Sequence, residues 1–326
     1  VAEITAPVVL CRDDGRLNPS AVGWTRHPLH VANLRGWGRT KRWEHWCLVA
    51  HDVIVGVTVS SLDYAGVHSI YVLDRASGTD HEHTVVEPLA RSTSLPERCG
   101  VGTARARGRD MTFELGATAA GTRLAVDGRG VRLRALVTAT GQESLGVVVP
   151  WSPTRFQYTV KDVGRPLSGT LGLGQRSYDL GGPDAFAVLD HGRGRWPYSV
   201  SWNWAAGAGT ILGRRIGLQL GGRWTDGTGQ TENAVLVDGR VNHLHEELVW
   251  KYDRADFTKP WYMNGHRAEV VFAPFHERVS RTNLVVVASE THQCFGRFAG
   301  WILDDSGHRV AVDGLVGWAE EARHRW

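Results

Sequence analysis

The runs of Val, Leu, Thr and aromatic residues in this chain follow one another too closely for helices to lie between them. Residues 53–60, 68–73, 111–118, 122–126, 131–138 and 145–151 form one such series, with little more than a turn at most joins. A second series covers 156–160, 167–173, 185–189, 215–220, 232–237, 241–252, 269–275 and 284–289. Parallel neighbours need a crossover of roughly a dozen residues or more, so this spacing predicts antiparallel barrels or sandwiches rather than an α/β sheet. Asp127-Gly128 and Asp238-Gly239 are hairpin signals, and the 39 glycines suit a turn-rich β protein. Residues 317–326 are expected to close the chain as a short helix. The predicted fold is all-β with few short helices: two stacked β units, 1–165 and 166–326, with a soft boundary where Gly and Pro concentrate between 164 and 183.

A chain of 326 residues can hold two units that each bury a core without staples. Its formal charge of +3 comes from 37 basic and 34 acidic residues with no basic block, which argues against nucleic acid as a partner. Cys11, Cys47, Cys99 and Cys294 lie far apart without a CxxC pair, as expected of reduced thiols in the cytoplasm. No apolar run reaches bilayer-spanning length, and the start Val-Ala-Glu-Ile has no leader pattern, so no integral membrane segment is expected. Oligomeric state is not legible.

Ionisable groups and large aromatics crowd together between residues 190 and 233. If 185–191 is a strand, Phe186, Val188 and Asp190 share one face, and Ala187, Leu189 and His191 the other. A carboxyl on such an apolar row must be neutral, hydrogen-bonded or paired. Asp190 is therefore either a proton donor, with His191 beside it, or a structural acid capped by amides or by Arg193 or Arg195. Trp202 and Trp204 share a face with Val200, whereas Asn203 lies with Ser199 and Ser201. The tryptophans, with Trp196 and Trp224, are either cavity wall or plain core. Glu232 is a second acid-base candidate beside Asn233, or a surface residue at a strand start. Gly221–Gly229 lacks the Lys-Ser/Thr ending of a phosphate loop, and no cofactor is expected. His243, His245 and Glu247 alternate as metal ligands would, but an apolar opposite row places them towards solvent, so no metal is expected. The cation- and aromatic-rich stretches 24–30 and 37–46 are a lid, an anion clamp or cover for a core edge.

Leu17-Asn18-Pro19, Gly23-Trp24, His27-Pro28-Leu29, Lys41-Arg42-Trp43, the 156–161 run Phe-Gln-Tyr-Thr-Val-Lys, Gly221–Gly229, Thr231-Glu232-Asn233 and Gly317-Trp318-Ala319-Glu320-Glu321 resemble the motifs of the DUF2804 family. The Asp190-His191 pair followed by Trp202-Asn203-Trp204 is more distantly similar to the AttH and carotenoid 1,2-hydratase group. That resemblance implies two packed lipocalin-like (calycin) β-barrels with a ligand near their junction. It also implies hydratase-like chemistry on apolar molecules, such as hydration or cyclisation.

The leading expectation is thus an apolar or partly apolar small molecule, protonated at a double bond by Asp190 with His191 orienting it or handling water, for hydration, cyclisation or isomerisation. A non-catalytic lipid or isoprenoid carrier uses the same cavity. A carbohydrate-processing enzyme would use Asp190 and Glu232 as paired carboxylates and the tryptophans as platforms.

Overall fold

The computed structural model describes residues 2–284 and 287–325. Among them there is no α-helix, and the one helical turn is the 3-10 segment Pro19–Ala21, capped by the Asn18 side chain on the Ser20 amide. No helix is long and apolar enough to cross a membrane. The chain divides into two compact units, Glu3–Trp196 and a second from Pro197 onward that also takes in Ala2. The division expected at 165/166 falls inside the strand Arg155–Leu173.

The first unit is built on one large antiparallel sheet, with a separate two-stranded parallel sheet of Val8–Val9 and His30–Val31. The main path of the large sheet runs Asp80–Pro88, Ala65–Asp74, Val53–Ser61, Thr40–Val49, Phe186–Arg195, Arg155–Leu173, Val131–Thr138, Gly121–Gly128, Met111–Thr118, Thr103–Arg107, Thr93–Ser94. Alternation does the folding at its edges. In Val131–Thr138, Val131, Leu133, Ala135 and Val137 turn into the core while Arg132 and Arg134 face water. The sheet curls until its ends meet through side chains rather than a ladder. Thr93 bonds His68 (3.0 Å) and Glu87 (3.0 Å), and the Ser92 hydroxyl donates to Glu87 at 2.6 Å. The late strand Phe186–Arg195 enters between Thr40–Val49 and Arg155–Leu173, and it is buried on both faces along nearly all its length.

The second unit repeats the plan in the order Arg240–Leu244, Asn233–Val237, Arg214–Gly222, Ser199–Ile211, Val316–Arg325, Val287–Leu303, Ala268–Leu284, Trp261–Asn264, Val249–Lys251. Its core gathers Leu218, Leu220, Val235, Trp261, Phe272 and Phe298. Residues 241–252, expected as one strand, make two, broken at 245–248. The expected terminal helix over 317–326 is instead the strand Val316–Arg325, paired on both sides, with Trp326 outside the described residues. Pairing with strands on both sides wins over any helical preference of the Ala-Glu-Glu-Ala stretch. Of the run expected at 284–289, residues 285 and 286 lie outside the described residues.

The Asp238-Gly239 turn forms as expected, with φ of 51° and 81° between the paired Val237 and Arg240. In the first unit the turn falls two residues later than expected. Asp127 and Gly128 are still paired, and Arg129 and Gly130 (φ 51° and 76°) make the bend.

Gly207, Gly317 and Gly296 are register partners across three adjacent strands. The missing side chain of Gly317 leaves room for the backbone of Ala206 and Gly207, and those of Gly207 and Gly296 leave room for a backbone carbonyl and a ring each. A Cβ on Gly207 would lie 2.8 Å from the Phe298 ring, and one on Gly296 would lie 2.6 Å from Phe272. Those rings contact each other at 4.7 Å in the core. We expect Gly207→Ala to destabilise the protein by about 1–3 kcal/mol, as overpacked cores do. Phe298→Leu in the same chain should cost less than the sum of the two single changes in a urea melt. Strict additivity would refute the ring contact as the cause.

Candidate functional site

Alternation along Phe186–Arg195 sorts its side chains as the sequence predicts. Ala187 and Leu189 belong to the core of the first unit, so His191 and Arg193 point inward, and Asp190 points to the opposite face. Asp190 and His191 are thus neighbours in sequence on opposite sides of one wall.

On the inward side, His191 pairs in register with Glu44 of the strand Thr40–Val49. The Glu44 carboxylate lies 3.7 Å from His191 Nδ1 and 3.6 Å from Arg193 Nη2. Arg193 is fully buried and donates to backbone oxygens: to Pro96 from Nε (3.1 Å) and Nη2 (2.9 Å), and from Nη1 to Trp43 (2.5 Å) and Gly192 (2.9 Å). Neither ring nitrogen of His191 has a hydrogen-bond partner. Burial, reinforced by Arg193, pulls its pKa down to about 4, so the ring is neutral at physiological pH. For Glu44, burial opposes ionisation, but His191 and the Arg193 guanidinium outweigh it and hold the carboxyl below its ordinary value.

Glu44 opens onto a cavity of about 240 Å³ inside this unit. Trp46, Leu115, Val137, Val160 and Leu189 supply apolar wall. A polar rim includes His27, Gln142 and the Asp162–Arg165 ion pair, with Gln142 Nε2 and Arg165 Nε each 2.8 Å from Asp162. Cys99 also lines it, and burial raises its thiol well above the ordinary range, which leaves it a poor nucleophile.

On the other face, Asp190 Oδ1 accepts from Lys161 Nζ at 3.0 Å and Thr159 Oγ1 at 3.1 Å, and Oδ2 from Trp43 Nε1 at 2.9 Å. Trp43 lies flat over Gly192, where a Cβ would fall 2.0 Å from its ring. Trp196 stands edge-on to Trp43 (5.5 Å) and Trp151 (5.3 Å) and donates to Gln157 at 2.6 Å. Neither Arg193 nor Arg195 caps Asp190. Its cation is Lys161, which a sequence search for arginine partners misses. The signal was present in Gln157, Thr159 and Lys161, polar at every second position of a buried strand.

In the second unit the polar row enters the core only at Asn203, with Ser199 exposed and Ser201 partly buried. Asn203 is fully buried on the side of Ala205 and donates to the Tyr252 hydroxyl (3.0 Å) and the Glu320 carbonyl (3.1 Å). Trp202 and Trp204 point the other way, donating to Glu320 and Gln219, each at 2.9 Å, with Trp204 edge-on to Trp318 at 5.0 Å. Glu232, with surface exposure as its plainer reading, is 1 % exposed and accepts from Trp224 Nε1 at 2.6 Å. Asn233 ties the Gly221 amide (2.8 Å) to the Glu246 carbonyl (2.9 Å). His243, expected towards solvent, is 1 % exposed against Thr231. No cluster of three or more His, Cys, Asp or Glu among the described residues is placed to hold a metal.

This architecture defines a class: all-β proteins built of two curled antiparallel sheets. CghA, solved with Sch210972, shares it with a TM-score of 0.56 at 12 % identity over 88 % of each chain. The AttH-like protein of Nitrosomonas europaea matches with a TM-score of 0.54 at 10 % identity, over 87 % of this chain and 92 % of that one. Kievitone hydratase from Nectria haematococca gives 0.51 at 8 % identity over 89 % of each. These likenesses are of fold. The chain belongs to the DUF2804 family, a domain of unknown function, whose model matches residues 1–326. Among curated proteins no relative matches.

Removing one partner of a buried ion pair strands the other charge. Lys161→Met should therefore cost about 3–5 kcal/mol, and adding Asp190→Asn should recover part of it. A double mutant whose cost equals the sum of the two single changes would show that the pair carries no coupling. His191 gives a second expectation. Its folded pKa of about 4 lies below the unfolded value of roughly 6.5. Its contribution is complete above about pH 6.5 and lost as pH falls towards 4, by up to about 3 kcal/mol. Chemical denaturation between pH 6.5 and 5 should show a flatter slope for His191→Gln than for the parent chain. Parallel slopes would exclude His191 as a buried neutral ring.

Proposed function

We propose that the first unit binds a small, partly apolar molecule in its 240 Å³ cavity and that Glu44 moves a proton on it. The observation that carries this reading is a buried, ionised carboxylate on a cavity that combines apolar wall with a group of polar side chains. Ligand sites combine apolar walls with a few placed polar groups in this way. Glu44 is available as a base because Arg193 keeps it ionised, at some cost in basicity, and neutral His191 stands 3.7 Å away to receive or return the proton. The rim groups Gln142, His27 and Asp162–Arg165 suit a ligand that carries a hydroxyl or carbonyl at one end.

The reaction class that fits is proton-coupled addition or removal of water, or a related isomerisation. The name of kievitone hydratase, which shares the fold, supports the hydration arm of this reading. Asp190 then serves the wall, because its oxygens are engaged by Lys161, Thr159 and Trp43 on the face away from the cavity. The volume is below the roughly 300–1,000 Å³ of ordinary ligand pockets, which favours a compact molecule over a long isoprenoid.

Native mass spectrometry of freshly purified protein, with extraction of the bound molecule, tests the site. Ala117→Trp, which plugs the mouth of the cavity, should abolish retention of the ligand. Glu44→Gln should retain it but slow its conversion by about 10²–10⁴-fold, the usual scale of one acid-base group. Equal retention by Ala117→Trp would remove the cavity from the function. Retention without conversion by the parent chain would leave a carrier.

A further inference from the structure

The second unit contains a concentration of positive charge that its resident acid does not balance. Glu321 is 2 % exposed, yet three guanidinium groups converge on it: Arg323 at 2.6 Å, Arg254 at 3.0 Å and Arg223 at 3.1 Å. The Tyr252 hydroxyl also donates to it, and Tyr252 in turn accepts from Asn203 and from Arg223 at 2.9 Å. Three cations around one carboxylate leave a local excess of two charges. Arg223 reaches this position from a strained backbone, with φ at 69°, held by its amide on Asp226 Oδ1 at 2.8 Å.

Beside this cluster lies an open pocket of about 420 Å³, into which Glu321, Arg254 and Arg323 face. Phe257 forms part of its apolar floor, stacked on His292 at 4.1 Å. The acids on the far wall already have partners. Glu277 is bonded to His292 Nδ1 at 2.7 Å, and Glu290 is bonded to Arg281 at 2.9 Å and lies 3.3 Å from His292 Nε2. Asp256, at the rim, accepts from the Thr258 hydroxyl at 2.5 Å. With Arg223, four arginines and four acids surround the pocket, so charge is segregated rather than in excess, with the positive wall at Arg254 and Arg323. Each spends one donor nitrogen on Glu321 and is about half exposed, which leaves further N–H groups turned to the opening.

We propose that this pocket binds the anionic group of a small molecule, a carboxylate or a phosphate, between Arg254 and Arg323. Guanidinium forks recognise both groups with paired hydrogen bonds, and an aromatic floor would seat the uncharged remainder. Glu321 then acts as the fixed anion that gathers and orients the arginines rather than as their final partner. The site is built wholly within the second unit and is independent of the cavity around Glu44.

Isothermal titration of the full chain at pH 7 and constant ionic strength, with inorganic phosphate in one arm and succinate in the other, tests it. Saturable one-to-one binding of at least one probe is expected, and the stronger arm identifies the group. Arg254→Gln and Arg323→Gln should each weaken binding about tenfold or more, the scale of one lost charge-assisted contact. Glu277→Gln, which removes an acid from the far wall, should tighten it. Arg254 is half exposed, so its variant should keep the fold, as circular dichroism would check. Absence of saturable binding in both arms, or binding unchanged in Arg254→Gln, would overturn the proposal.

Discussion

Arg193 is the side chain around which the first unit is arranged. A guanidinium taken wholly out of water is tolerable only if its donors find acceptors and its charge finds a partner. Here Nε, Nη1 and Nη2 all donate to backbone oxygens, and those oxygens belong to Trp43, Gly192 and Pro96. One residue thereby joins the central strand to its neighbour and to the loop that carries Cys99. The partner charge is Glu44, and its place is dictated by register: His191 opposite Glu44, Arg193 opposite Arg42. A slip of one residue would turn Arg193 out of the core and Asp190 into it. The buried charges therefore fix the register of a strand that apolar packing alone would define less sharply.

The same strand shows how a two-faced wall separates two chemistries. Inward, the carboxylate of Glu44 meets a cavity. Outward, Asp190 is enclosed by an ammonium, a hydroxyl and an indole. Both acids are buried, and exposure alone would rank them together. What distinguishes them is occupancy. The oxygens of Asp190 are engaged by protein donors, whereas Glu44 sits beyond hydrogen-bond range of His191 and Arg193 and borders open volume. A group that is to exchange a proton with a ligand needs unfilled capacity on the ligand's side.

Much of this was legible before any coordinates. Strand spacing gave the all-β class, and period-two alternation correctly split 185–191 into an Asp190 face and a His191 face. Alternation also grouped Trp202 with Trp204 and set Asn203 apart. It does not say which face looks inward: Asn203 turns out to share the side of the core residue Ala205. The helix expected over 317–326 came from residues with helical propensity, which yields to strand pairing on both sides. Glu44, Lys161, Arg223 and Glu321 escaped attention for one reason. Each has a partner far away in sequence: Asp190 for Lys161, Arg193 for Glu44, and Arg223 and Glu321 for each other. Their motifs were visible, but which member of each carried charge into the interior was not.

Asn203, Arg223 and Glu321 sharpen that point, because they come from three separate motifs and share one partner, the Tyr252 hydroxyl. Trp202-Asn203-Trp204 draws the eye to its rings, Gly221–Gly229 to its glycines, and the final stretch to its paired acids. In each, the residue that enters the polar cluster is the less conspicuous one. The rings and glycines serve packing: Trp224 anchors Glu232, and Gly221 leaves the space Glu232 fills. Strand alternation turns Asn203 away from its packing neighbours, the bend after Gly222 brings Arg223 to the same place, and polar groups there must find company of their own kind. A polar cluster at the inner end of this sheet follows directly from motifs that, read singly, describe only a well-packed wall.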